Sequence, residues 1–91
     1  FVRYACAFVC LPGGFGTFDE LFEVLTLRQT GKIRARPVVL VGTDYWRGLI
    51  DWLADPVRSE GKIDPDDVEQ IVCTDDLDEV VALITDAAPA R

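Results

Sequence analysis

Unbroken apolar runs and apolar residues spaced three and four apart take turns along this chain, and their order predicts strand-helix three times over. Ala5-Cys6-Ala7-Phe8-Val9-Cys10-Leu11 has no alternation, the pattern of a strand buried on both faces of a parallel sheet. Phe18, Leu21, Phe22 and Leu25 then recur at i, i+3, i+4 and i+7, which predicts a helix packed back onto that sheet. Gly31 is its natural stop, with Lys32 and Arg34 near its negative end. Arg36 through Gly42 reads as a second buried strand with Pro37 at its start, where a missing N–H is tolerated. Gly42-Thr43-Asp44 ends that strand and caps a second helix. Its apolar face is Trp46, Leu49, Ile50 and Leu53, flanked by Tyr45 and Trp52. Pro56 is expected to kink or restart it after Ala54, and Gly61 to end it. Asp64-Pro65-Asp66-Asp67 reads as an acidic turn before a shorter third strand, Val68 to Cys73. Thr74, Asp75 and Asp76 cap a last helix with a stripe of Leu77, Val80, Val81 and Ile84, and residues 87–91 read as a frayed tail. Phe1 to Tyr4 read as the end of a helix or a connector. Right-handed crossovers would place the helices on the faces of half of a doubly wound α/β sheet, β-α-β-α-β-α.

Composition narrows the function classes. Sixteen acidic residues against nine basic ones give a formal charge of −7, which argues against nucleic acid or an anionic membrane as the main partner. Any anion must therefore be bound locally. No apolar run approaches the roughly 20 residues of a membrane span, and no signal-peptide layout opens the chain, so a cytoplasmic location is the default expectation. Three cysteines, Cys6, Cys10 and Cys73, occur without a C-x-x-C pair or any histidine. They read as buried reduced thiols rather than a zinc or redox site.

The chemistry concentrates where the first strand runs into the first helix. Leu11-Pro12-Gly13-Gly14-Phe15-Gly16-Thr17 carries three glycines in four positions, which allow positive φ and leave backbone N–H groups uncovered. Such a loop feeding a helix N-terminus suits a phosphate. It is neither standard nucleotide fingerprint: the third glycine of G-x-G-x-x-G would fall at Asp19, and no P-loop lysine follows Gly16.

Taken whole, Pro12-Gly13-Gly14-Phe15-Gly16-Thr17-Phe18-Asp19-Glu20 resembles the PGGxGTxxE signature of the LOG family, phosphoribohydrolases of cytokinin nucleotides that are often mislabelled lysine decarboxylases. Every fixed position of that motif is present. The resemblance continues through Leu25 to Ile33, Arg36 to Leu40 and Glu60 to Ile63, and is strongest to the bacterial branch of the family. It implies that these residues are the C-terminal half of a single Rossmann-like doubly wound domain, whose first half and Arg-Lys pair would precede Phe1. Cys6, where an aspartate is expected, and Pro56, inside an expected helix, depart from the pattern.

Each candidate residue has a functional and a structural reading. Thr17 and Glu20 match a Thr-x-x-Glu capping box, which would make Glu20 a helix cap. The resemblance instead implies that Glu20 is catalytic, and the chemistry agrees, because breaking an N-glycosidic bond passes through an oxocarbenium-like sugar that a carboxylate can stabilise while activating water. A bound phosphate would also tend to raise that carboxylate's pKa. Gly13, Gly14, Gly16 and Thr17 are the candidate phosphate ligands. Phe15 at the loop tip either covers the ligand or meets a partner subunit. Glu23 shares the face of Glu20 and either tunes it or is a solvated first-turn acid. Thr26 and Gln29 form a polar stripe for substrate, for a subunit contact or for solvent. Arg3 is either a pocket residue or a surface cation.

The resemblance implies a homodimer with a shared site, nucleoside 5′-monophosphate substrates such as AMP or cytokinin nucleotides, products free base and ribose 5-phosphate, and no metal or organic cofactor. These 91 residues alone would then be inactive. The rival is a Rossmann-like module that binds nucleotides without cleaving them, against which Glu20 argues. Pyridoxal-dependent lysine decarboxylation has only the old label behind it, since Lys32 and Lys62 stand beside Gly31 and Gly61 at helix ends.

Overall fold

The computed structural model describes residues 1–4, 7–33 and 36–87. Four strands, β1 (Val2–Arg3), β2 (Phe8–Cys10), β3 (Val38–Val41) and β4 (Ile71–Thr74), form one sheet in the order β1-β2-β3-β4. The last three are parallel, with Phe8 opposite Val38 and Val39 opposite Val72. Helices α1 (Phe15–Gln29), α2 (Thr43–Trp52), α3 (Pro65–Glu69) and α4 (Leu77–Ala87) connect and follow them. This is a mixed α/β architecture, part of a Rossmann-like fold.

The apolar runs form the sheet because each can be covered twice. Phe8, Cys10, Val38 and Leu40 pack with Leu21 and Val24 of α1 and Trp46 of α2 on one face. Val9 and Val39 pack with Val80 of α4 on the other. Phe8 to Cys10 and Val38 to Leu40 are buried throughout, as strands between two helical layers must be. The strand expected over residues 5 to 11 is described as Phe8–Cys10; Ala5 and the divergent Cys6 lie outside the described residues, as do Arg34 and residues 88–91.

Several expectations are corrected. Phe1 to Tyr4 are not a helix end: Val2 and Arg3 pair antiparallel with Val9 and Phe8, so this segment edges the sheet. Asp64 to Asp67 are not a plain turn. Asp64 is an N-cap, Pro65 takes the first helical position where its missing N–H costs nothing, and the Asp67 carboxylate accepts from the Asp64 N–H at 2.9 Å, so α3 forms. The third strand consequently starts at Ile71, three residues later than the apolar pattern suggests. In α4, Val80 is buried, but Leu77 and Val81 are 65% and 61% exposed, so only part of the expected stripe meets the sheet.

The helix ends follow local chemistry. At Gly31 (φ 73°) the Lys32 N–H donates to Leu27 C=O at 2.9 Å and the Gly31 N–H to Arg28 C=O at 3.2 Å, a Schellman ending. Gly61 (φ 77°) closes the segment after Pro56 in the same way. Between α2 and that ending, the helical course over Leu53–Arg58 is broken at Asp55, which takes an extended conformation (φ −155°, ψ 118°) before Pro56. The proline disfavours a helical residue ahead of it, so the kink falls one residue after Ala54, as the sequence predicts. No helix among the described residues is long and apolar enough to cross a membrane.

Candidate active site

Helix α1 begins earlier than the Thr-x-x-Glu pattern predicts, and this changes the role open to Glu20. Gly14 is the N-cap, with φ −111° and ψ −148° and no side-chain cap. The Phe18 N–H donates to the Gly14 carbonyl at 3.0 Å. Thr17 therefore lies inside the first turn, and the box it would make with Glu20 does not form. The expected reason for the glycines is corrected as well: positive φ occurs at Gly31, Gly42 and Gly61, not in this loop. Space is the reason at Gly13, where a Cβ would lie 2.2 Å from Thr17 Oγ1 and 2.9 Å from Thr17 Cβ. Gly14 and Gly16 have nothing within 4 Å of such a Cβ, so their backbone faces open space. The N–H groups of Gly14, Phe15, Gly16 and Thr17 meet no acceptor among the described residues. They are the orphan donors of a helix start, gathered at its positive end.

The Glu20 side chain is exposed and has no hydrogen bond or ion pair among the described residues. Its charge nevertheless reaches the sheet. Burial pushes the Cys10 thiol up, the chain's amino group opposes this, and Glu20 adds to the rise. The carboxylate thus stands near the carboxyl end of β2, where open α/β sheets bind ligands. Glu23 follows one turn later, also exposed. Thr26 is farther from the loop, about 13 Å along the axis from Thr17. Its hydroxyl donates to the Phe22 carbonyl at 2.7 Å, and it lines a shallow hollow on α1 with Asp19, Phe22, Glu23 and Leu27. The fold therefore gathers Gly13 to Thr17 and Glu20 at one end of α1, and sets Glu23 and Thr26 along its outer side.

Phe15 is 91% exposed and meets Phe18 edge-on, with ring centroids 6.4 Å apart. Phe18 in turn meets Trp46 of α2 edge-on at 5.9 Å. Phe18, Phe22, Tyr45, Trp46, Leu49 and Trp52 line a shallow apolar groove of about 450 Å³ between the two helices. A separate cleft of about 220 Å³ lies toward the C-terminal half of α1, among Leu25, Leu53, Val57, Ile63 and Ile71. Gln29, half of the predicted polar stripe, is spent on structure there: its amide donates to Asp67 of α3 at 3.1 Å. Beside it the Arg28 guanidinium, its pKa lowered by burial, donates to the Arg36 carbonyl at 3.1 Å. Arg3 is exposed, its guanidinium over the Phe1 ring at 5.7 Å. Lys32 is exposed at the end of α1 opposite the glycine loop.

Two residues near the loop carry contacts that no local pattern announces. The Tyr45 hydroxyl donates to the Gly13 carbonyl, although spacing makes Tyr45 only a flank of the apolar face of α2. Asp75, expected to cap α4, instead accepts from the Thr43 N–H at 2.7 Å and the Thr43 hydroxyl at 2.6 Å, so it caps α2 across the sheet end. Those two bonds hold its carboxyl below the usual range. Asp76 caps α4, accepting from the Asp78 N–H at 2.9 Å.

A family model described as "Possible lysine decarboxylase" matches residues 1–84. The chain belongs to this family, the LOG family. It is 39% identical over 90 residues to the cytokinin riboside 5′-monophosphate phosphoribohydrolase LOG3 of Arabidopsis thaliana, covering 98% of this chain and 41% of that protein. It is 38% identical over 87 residues to the probable cytokinin riboside 5′-monophosphate phosphoribohydrolase LOG4 of Oryza sativa subsp. japonica, covering 94% of this chain and 37% of that one. The LOG chain described here thus spans about two-fifths of the length of these relatives.

Proposed function

We propose that the protein hydrolyses the N-glycosidic bond of a nucleoside 5′-monophosphate, releasing free base and ribose 5-phosphate, with Glu20 as the catalytic carboxylate. The observation that carries this reading is the state of that side chain: it closes no cap, has no partner among the described residues, and follows a helix start rich in open N–H groups. A phosphate held by Gly14, Gly16 and Thr17, the last seated against Gly13, would be stabilised by those donors and by the helix dipole. The rise from Gly16 to Glu20 is about 6 Å, so a ribose extending from that phosphate along α1 comes within reach of the carboxylate. As the base departs, positive charge develops on C1′ and the ring oxygen. Glu20 stabilises it and takes a proton from the water that adds to C1′, the departing base takes one from solvent, and Glu20 then returns its proton to solvent.

The names of the plant relatives support the substrate class, cytokinin riboside 5′-monophosphates, and AMP shares its phosphate, ribose and purine. Assembly as a homodimer with a shared site belongs to the proposal. Phe15 and Trp52 are 91% and 54% exposed beside an apolar groove, a surface costly to leave wet. A partner seated there would let Phe15, Glu23 and Thr26 meet substrate across the subunit boundary. In this reading residues 1–91 are the C-terminal part of one cytoplasmic Rossmann-like domain and are inactive alone, because the Arg-Lys pair and the base-binding elements come from the remainder.

The test incubates the full-length protein, as wild type and Glu20→Gln, with AMP and isopentenyladenosine monophosphate and measures free base by chromatography. Wild type is expected to release base and the variant to bind without cleaving. Binding without cleavage by wild type selects the nucleotide-sensor reading, and wild-type turnover by Glu20→Gln removes Glu20 from the chemistry.

A further inference from the structure

We propose that Tyr45 is a positioning residue that orients the glycine loop for phosphate; this rests on the loop being the phosphate site. The Tyr45 hydroxyl donates to the Gly13 carbonyl. The Gly13–Gly14 peptide is trans, so its C=O and N–H point in opposite directions. Tethering the carbonyl towards α2 therefore turns the Gly14 N–H away from α2, and that N–H is one of the four at the start of α1 that meet no acceptor among the described residues. Two adjacent glycines would otherwise leave that peptide plane free to rotate.

The tether is stiff because Tyr45 is itself held. Its ring stands perpendicular to Trp46, with centroids 4.9 Å apart, and Trp46 is 1% exposed and donates its indole N–H to the Val41 carbonyl at 3.1 Å. The corner carrying Tyr45 is shaped to the loop: Gly42 has φ 106°, and a Cβ there would lie 3.3 Å from Pro12 Cγ. Through the Phe18–Trp46 contact the same tryptophan also braces α1. One buried ring thus sets the tyrosine against the loop on one side and the helix behind the loop on the other.

Tyr45→Phe keeps the ring and removes only the donor. In the full-length protein, the expected result is a dissociation constant for inorganic phosphate, by calorimetry, raised about three- to tenfold, the scale of one lost hydrogen bond. KM for AMP should rise by the same factor, kcat should change less than about twofold, and the melting temperature should stay close to wild type. A phosphate affinity equal to wild type, or a fall in kcat with KM and phosphate affinity unmoved, overturns the proposal. The phosphate titration does not depend on cleavage. Phosphate binding that weakens in Tyr45→Phe, in a protein that never releases base, upholds the role of Tyr45 and removes the hydrolase reading. A wild type that binds neither phosphate nor AMP overturns both.

Discussion

Gly13→Ala tests the loop geometry through a contact whose size is known. The new Cβ would stand 2.2 Å from Thr17 Oγ1 and 2.9 Å from Thr17 Cβ, against a floor of 3.0 Å for real Cβ atoms. The hydroxyl contact must open by about 0.8 Å. Rotating Thr17 about χ1 moves the hydroxyl but leaves its Cβ in place, so the loop or the first turn of α1 must move too. Overpacking of this kind costs about 1–3 kcal/mol. On the proposed reading, in which the chain is about two-fifths of a domain of 200-residue scale, the melting temperature should fall by about 2–12 °C. Displacement of binding groups by about 1 Å is worth up to 100-fold in catalytic efficiency, so on the proposed hydrolysis kcat/KM for AMP should fall by up to that factor. Gly14→Ala is the control, since its Cβ meets nothing within 4 Å, and it should melt like wild type. Adding Thr17→Ala to Gly13→Ala removes the 2.2 Å contact and leaves only the 2.9 Å one, so thermal stability should be largely restored. Differential scanning calorimetry on the four proteins decides. If Gly13→Ala melts with wild type, or the double variant gains nothing over the single, steric exclusion is not why glycine stands at 13.

The other expectations concern the frame around the loop. Leu21→Ala, emptying a site 1% exposed between α1 and the sheet, should destabilise by about 2–5 kcal/mol in urea titration; a change under about 1 kcal/mol would mean that α1 is not packed there. Asp75 has a depressed carboxyl pKa, chiefly through the Thr43 hydroxyl and then the Thr43 N–H, so its contribution is present above the ordinary value of 3.8 and is lost as pH falls through the lower folded value. Asp75→Ala should therefore melt lower than wild type at pH 7, with the gap closing below pH 3.8; a pH-independent gap would contradict the assignment. The Cys10 thiol is buried and its pKa raised, so iodoacetamide at neutral pH should leave it unlabelled until denaturant is added, read peptide by peptide by mass spectrometry.

Sequence periodicity by itself determined the strand-helix alternation, the buried strands around Phe8 to Cys10 and Val38 to Leu40, and the stops at Gly31 and Gly61, because each depends on neighbours within one or two turns. The nine-residue motif likewise made the glycine loop and Glu20 the centre of interest. Propensity alone could not settle where α1 starts. The capping pattern at Thr17 and Glu20 is a good local signal, yet the helix extends back to Phe15. There Phe18 gains its packing against Trp46 and Thr17 sits over Gly13. Only the tertiary fold decided what Tyr45, Gln29 and Asp75 do, since their partners Gly13, Asp67 and Thr43 are 32, 38 and 32 residues away and come within reach when three parallel strands are laid side by side. Contacts between elements so far apart in sequence depend on which strands pair and in what register, and a short window of residues sees only its own strand.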